Sequence, residues 1–340
     1  MRKRSIGSLV AAFVLTNFLV LGANVPEAKA QGPKQQRYLN YVTLPSGTTH
    51  YSIAVVHGKT ISDKTDLKVM VQPANGPMAI PGLMGSKQAD LAVGNSLTVY
   101  WAYNGLVDFK EQHRFARILQ SGNDLIFGII THKGTGITSI PDLKGRKFTY
   151  NYPTSAFLKR LAELEMQAYG LSPKDVTTMK AEFNTKALQD LADKRTEAVA
   201  GSIQGTMMQE LATRVDTVVL PFDASKIEVI SREMPPAHPA VTSTGTPKVP
   251  AGIPVIAIPN VLWAHKDLDD DTAYQVVKVL VENYKEMIPA FGDFRQWTPE
   301  RAVRFLGMPF HPGAIRYYRE KGVWTAEMEK QQQALLAKER

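Results

Sequence analysis

Cysteine is absent from the 340-residue chain. That excludes disulfides, thiolate metal sites, a cysteine nucleophile and the lipid-modified cysteine that anchors many exported proteins. Serine elbows are missing as well. Gly201-Ser202-Ile203-Gln204-Gly205 carries its serine one place early, and Gly94-Asn95-Ser96 lacks the closing glycine. No His-Glu-x-x-His zinc helix occurs, the histidines are scattered, and His311-Pro312 reads as structural. Asp269-Asp270-Asp271 lacks the alternating oxygens and glycine turn of a calcium loop and fits a helix N-terminus instead. No run of basic residues with interleaved aromatics points to nucleic acid. Internal repeats and low-complexity segments are also absent. The expectation is therefore a protein without catalytic residues, cofactor or metal.

The first thirty residues carry a different signal. Arg2-Lys3-Arg4 form a basic start, Leu9–Leu21 is apolar apart from Thr16 and Asn17, and Ala28-Lys29-Ala30 is a small-x-small cleavage site. Together they read as a secretory signal peptide, cleaved after Ala30, because a spanning helix needs ~20 apolar residues. Residues 31–340 keep 36 of the 40 basic and 31 of the 32 acidic residues, a net +5. This mild excess is compatible with an acidic ligand without demanding one. A mature chain of that length exceeds what one core serves, so two domains are expected.

Along the mature chain, short apolar runs alternate with helix-like periodicity. Strands are expected at Arg37–Leu44, Leu67–Val71, Ala89–Gly94, Phe115–Ser121, Leu125–Thr131, Phe148–Tyr152, Ala198–Ile203, Thr217–Pro221 and Val255–Trp263. Helices are expected between them, among them Ser155–Tyr169, Thr185–Ala192, Met207–Arg214 and Asp271–Tyr284. Met234–Pro254, rich in Pro, Thr and Gly, reads as loop. Such alternation implies parallel βαβ units.

The stretch from Leu125 to Ser155 organises the rest. A buried strand runs into a glycine loop. A helical turn follows, with Ser139 as N-cap, Pro141 near its start and Gly145 at its end; a second strand leads to Pro153-Thr154-Ser155. Gly136-Ile137, Ser139, Asp142-Leu143-Lys144-Gly145-Arg146 and Phe148 resemble the point where a type II periplasmic solute receptor passes from its first lobe into its second. Further matches follow the TAXI family of solute receptors, which serve TRAP-type transporters. They are Thr43, Gly47, Thr49 and Tyr51 in the opening loop, Ala89-Asp90-Leu91, Asn95-Ser96, Tyr103-Asn104-Gly105, Val255–Ala264 and the tail Phe310–Glu320. The chain departs from that pattern at Leu44-Pro45, at His50 and at Pro153-Thr154-Ser155-Ala156, in loops that would line the cleft.

The resemblance implies a two-lobed α/β receptor, each lobe a doubly wound, mostly parallel sheet flanked by helices and joined to the other by two hinge strands. Residues 31–124 with 262–340 would form one lobe, and 125–261 the other. Polar loops at the carboxyl ends of strands are where open α/β sheets bind ligands. Ser46, His50, Tyr51, Asn95, Ser96, Asn151, Thr154, Ser155 and Gln204 are the candidate ligand-binding residues. The helix opening at Ser155 has no acid in its first turn, and Lys159 and Arg160, one turn on, add positive charge without a matching acid nearby, so a carboxylate is expected there. The expected function is a free, monomeric periplasmic receptor that delivers a small organic acid to the membrane subunits of a TRAP-type transporter. The alternatives are the receptor of an ATP-driven importer and a periplasmic enzyme on the same scaffold.

Overall fold

Two strands much longer than their neighbours set the architecture: β4 (Ala116–His132) and β10 (Pro254–His265). Both are buried along almost their whole length, which is why β10 reads as a continuous apolar run rather than an alternating one. The computed structural model describes residues 37–243, 248–304 and 306–339; the signal-peptide reading of residues 1–30 lies outside them.

β4 joins the two stretches expected to be separate strands. Gly122-Asn123-Asp124 would break a strand in isolation, but here tertiary partners hold it extended. Gly122 lies under the Trp297 indole, where an added Cβ would come within 2.2 Å of Cζ2. The Asn123 Oδ1 accepts hydrogen bonds from Trp297 Nε1 and Asn260 Nδ2, both at 3.0 Å.

The other strands are β1 (Arg37–Thr43), β2 (Leu67–Pro73), β3 (Leu91–Asn95), β5 (Lys147–Asn151), β6 (Thr177–Lys180), β7 (Ala198–Ser202), β8 (Thr217–Val219) and β9 (His238–Val241). They form one sheet in the order β2-β1-β3-β10-β4-β7-β5-β6, with β8 on β4 and β9 on β10. Each wing is parallel: β2-β1-β3 on one side and β6-β5-β7 on the other. Every antiparallel pairing involves β4 or β10. β9 falls in a segment expected to be loop; it is only four residues long and is held by pairing with β10.

The helices are α1 (Thr49–Lys64), α2 (Ile80–Gly85), α3 (Ser96–Asn104), α4 (Ala156–Ala168), α5 (Asn184–Ala192), α6 (Thr206–Arg214), α7 (Ile227–Ser231), α8 (Asp270–Glu282), α9 (Tyr284–Met287), α10 (Pro299–Ala302), α11 (Pro312–Glu320) and α12 (Ala326–Ala337). Two hydrophobic clusters divide the interior. One gathers Ile53, Leu91, Trp263, Val276, Leu280 and Tyr318 around the first wing. The other gathers Phe148, Phe157, Leu161, Leu188, Val199 and Leu211 around the second.

The tail around Phe310-His311-Pro312-Gly313 proves to be a packing device. His311 caps α11 by accepting from Gly313 N at 3.2 Å. Gly313 lets α11 sit directly on α8, since a Cβ there would come within 2.2 Å of the Asp270 carbonyl oxygen. Tyr318 then donates to the Leu119 carbonyl of β4 at 2.8 Å. The turn at Ile140–Leu143 forms with Asp142 accepting from Ser139 N at 2.9 Å, and Gly145 leaves it at φ +79°. Asp269 caps α8, with Asp270 and Asp271 in its first turn, where acids complement the helix dipole.

Candidate functional site

Between the two wings, the first turns of several helices meet at one cavity of about 40 Å³. Thr48, Thr49 and His50 come from the start of α1, Asn95 from the cap of α3, and Ser155 and Phe157 from the start of α4. Asn184 and Thr185 open α5, and Gln204 and Met207 flank the start of α6. None of these five helices has an acidic residue in its first turn. Helices α8 and α12, which do not reach the cavity, each carry two. The positive ends of five helix dipoles thus collect at one place without acids to neutralise them. Among the described residues no Asp, Glu, Lys or Arg lines the cavity. His50 does, and burial depresses its pKa to about 4, against a smaller opposing effect of Asn260, so the ring is neutral at pH 7.

Of the nine candidate residues, His50, Asn95, Ser155 and Gln204 share this cavity. Three of them have their side chains engaged. The Asn95 Oδ1 accepts from Thr98 N at 2.8 Å, and the Ser155 Oγ from Leu158 N at 3.5 Å, each as a helix cap. Gln204 binds the long strand β4, accepting from Ile126 N at 2.8 Å through Oε1 and donating to the Asp124 carbonyl at 3.4 Å through Nε2. Ser46 and Tyr51 line a larger trough on the outer side. Ser96, the first residue of α3, is fully buried. Asn151 ends β5, its backbone in register with Lys180. Thr154 donates to the Glu182 carbonyl.

The sequence reading missed Thr49, Asn184, Thr185, Ser202 and the aromatic wall of Phe127, Phe157 and Phe183. Asn184 could have been suspected as a polar residue directly before a helix. The buried Thr49 Oγ1 has no hydrogen-bond partner, a costly arrangement unless something at the cavity meets it, whereas the Asn184 amide packs against Gly201 and the Tyr152 hydroxyl. One expectation is corrected. Lys159 and Arg160 do have acidic partners: Lys159 lies 3.9 Å from Glu163, and Arg160 pairs with Glu163 at 3.3 Å and Glu233 at 2.6 Å. Their charge is spent outside the cavity.

The two wings touch on either side of the cavity through glycines. Met207 N donates to the Gly47 carbonyl at 3.4 Å. Gly205, at φ +91°, lies so close that a Cβ would stand 3.0 Å from the same oxygen. A Cβ on Gly76 would come within 2.7 Å of the Thr154 carbonyl oxygen. Behind the cavity, β4 is clamped. Asp124 receives Arg301 at 2.6 Å and Arg304 at 2.9 Å, and His238 Nε2 lies 3.4 Å from it.

This architecture, parallel wings around two long shared strands with a cavity between, is the two-lobed fold of periplasmic binding proteins. It is shared with PhnD1 from Prochlorococcus marinus (MIT 9301), solved in complex with methylphosphonate: 10% identity over 85% of this chain and 99% of that one, TM-score 0.54. A periplasmic transporter matches over 89% of this chain and 96% of its own at 12% identity and TM-score 0.55. A protein of Bordetella bronchiseptica RB50 matches over 78% and 76% at 18% identity and TM-score 0.50. A family model covers residues 42–322, and the chain belongs to the NMT1-like family.

Proposed function

We propose that the protein is a periplasmic receptor that captures a small organic anion between its two lobes and delivers it to a membrane importer. Residues 31–124 with 262–340 act as one lobe and 125–261 as the other; the two hydrophobic clusters follow this division except that Leu97, Trp101, Ala102 and Phe109 pack with the second lobe and Phe183 and Val261 with the first. The observation that carries the reading is the meeting of five helix N-termini, all without first-turn acids, around a cavity with unpartnered buried polar groups. Such a place stabilises negative charge without any basic side chain. The head group is a carboxylate or a phosphonate; the methylphosphonate bound by PhnD1, which shares the fold, supports widening the class beyond carboxylates. The site is one of binding rather than catalysis, because hydroxyls such as Ser155 serve there as helix caps.

Family membership and the fold shared with PhnD1 favour an ATP-driven importer as the recipient. The TRAP reading keeps the residue matches at Gly136–Gly145 and Phe310–Glu320, and the permease gene beside this one distinguishes the two. Export follows from residues 1–30, and N-terminal sequencing of the periplasmic protein should begin at Gln31.

Thermal-shift screening against organic acids and phosphonates, each beside a neutral amide or ester isostere, tests the receptor reading. A ligand at a hundred times its Kd stabilises the native state by ~2.7 kcal/mol. The expected result is stabilisation by anions alone. Stabilisation by none of them, or equally by the neutral isosteres, would overturn it.

A further inference from the structure

We propose, resting on the anion reading above, that the ligand is a monoanionic acid with an extended apolar tail. Its head group sits at the helix N-termini, and its tail passes Met207 into the outer trough. The first ground is what the cavity lacks. Among the described residues no carboxylate lines it to pair with the ammonium of an amino acid, and no Lys or Arg to hold a second acidic group. Burying either charge unpaired is expensive. The polar groups that do reach it, including the unpartnered Thr49 Oγ1 on a residue only 3% exposed, suit one anionic head.

The second ground is the wall opposite. Phe127, Phe157, Phe183, Leu44 and Leu188 present hydrocarbon to whatever follows that head.

The third ground is continuity. Gly47 and Met207 line both the inner cavity and a trough of about 710 Å³ that runs between α1, α6 and the segment Pro289–Gly292. About 40 Å³ has room for little beyond a head group, whereas pockets for organic ligands run to several hundred. The partition between the two spaces is the Met207 side chain lying on Gly47, where a Cβ would meet Met207 Cγ at 2.7 Å, beside the backbone contact of Met207 N with the Gly47 carbonyl. An unbranched thioether with three rotatable bonds moves aside readily. Beyond it the trough is lined by Val55, Val56, Pro289 and Phe291, with Tyr51 and Gln209 at its polar margin and no charged side chain among the described residues. Val55 is 42% exposed, an apolar residue on a helix surface that a tail would cover.

Calorimetry with the sodium salts of acetate, butyrate, hexanoate and octanoate, and with glutamate, tests this on the full mature protein and on Val55→Asn, a surface change that leaves the core alone. Affinity should rise about fourfold per methylene from butyrate to octanoate. Glutamate should bind at least tenfold more weakly than octanoate. Val55→Asn should weaken octanoate about fivefold and leave butyrate within twofold. Equal affinity for butyrate and octanoate, indifference to Val55→Asn, or a preference for glutamate would refute the tail while leaving the anion site standing. Failure of every carboxylate and of methylphosphonate to bind would refute the anion site, and the tail with it.

Discussion

Asp124→Asn would test how the long strands are held at the crossing. The carboxylate lies on β4 opposite Pro259 of β10, where the register between the two strands shifts. It receives Arg301 and Arg304 at 2.6 and 2.9 Å, with His238 of β9 at 3.4 Å, and its side chain is 16% exposed against 30% and 34% for the two arginines. Burial alone would raise its pKa; His238, Arg301 and Arg304 outweigh that and hold the carboxyl well below the usual range. Breaking a fully buried pair costs 3–5 kcal/mol and an exposed one under 1. This half-buried cluster lies between, and asparagine retains one acceptor, so the cost should be about 2 kcal/mol. That is a fall in Tm of roughly 3 °C, since ~2.1 cal/mol/K per residue gives about 1.5 °C per kcal/mol for a chain of this length.

A second readout is specific to the cluster. The hydrogen bond to Asp124, opposed in part by burial, raises the His238 pKa. The stability from that pairing is complete below the unfolded value near 6.5 and is lost as pH rises through the higher folded value. In the variant the His238 titration, followed by NMR, should fall back toward 6.5. Urea melts within 0.5 kcal/mol of wild type together with an unmoved His238 titration would refute the argument.

Two other changes follow from buried charge. His50 and His57 are held neutral by burial, with pKa values depressed to about 4 and about 3. The unfolded chain takes up these protons first, so stability should fall as pH drops below 6.5, by about 2 kcal/mol for each ring at pH 5. Urea melts at pH 7 and pH 5 should show this, and His57→Gln should remove about 2 kcal/mol of the difference, to which His113, His132, His265 and His311, also lowered by burial, add their share. Glu339→Ala would leave Arg117, 7% exposed, without the carboxylate that now grips it at 3.0 and 2.7 Å. The expected cost is about 3 kcal/mol by chemical denaturation, since breaking a buried pair strands its partner; a change below 1 kcal/mol would show that α12 is not anchored there.

The alternation of strands and helices, the long run of β10 and the cap at Ser139 were legible because each is written in a few neighbouring residues. What escaped is held by distant partners. Gly122-Asn123-Asp124 looks like a turn until Trp297, Asn260, Arg301 and Arg304 are brought to it. Glu163, one turn beyond Lys159 and Arg160, was a visible partner that the reading passed over, and only Glu233, 73 residues from Arg160, was out of sight. Asn95 and Ser155 were found as polar residues at helix starts, and that same signal marks their capping role. Asn184 and Phe183 were missed because the strand before them, β6, is four residues long and mostly exposed, with little hydrophobic pattern to announce it. The aromatic wall could not be told from core by spacing alone.

In the proposed receptor, helix N-termini rather than basic side chains hold the ligand's negative charge in this cavity. Calorimetric titration of hexanoate against hexanamide on the same protein measures that charge preference directly, because the two differ little in size and apolar tail. Charge-assisted hydrogen bonds should favour the acid by about 1.5–3 kcal/mol, more than tenfold in affinity, and the preference should survive in Lys159→Gln and Arg160→Gln, whose charges lie outside the cavity. Equal affinity for acid and amide, or a preference that vanishes with either basic residue, would contradict it.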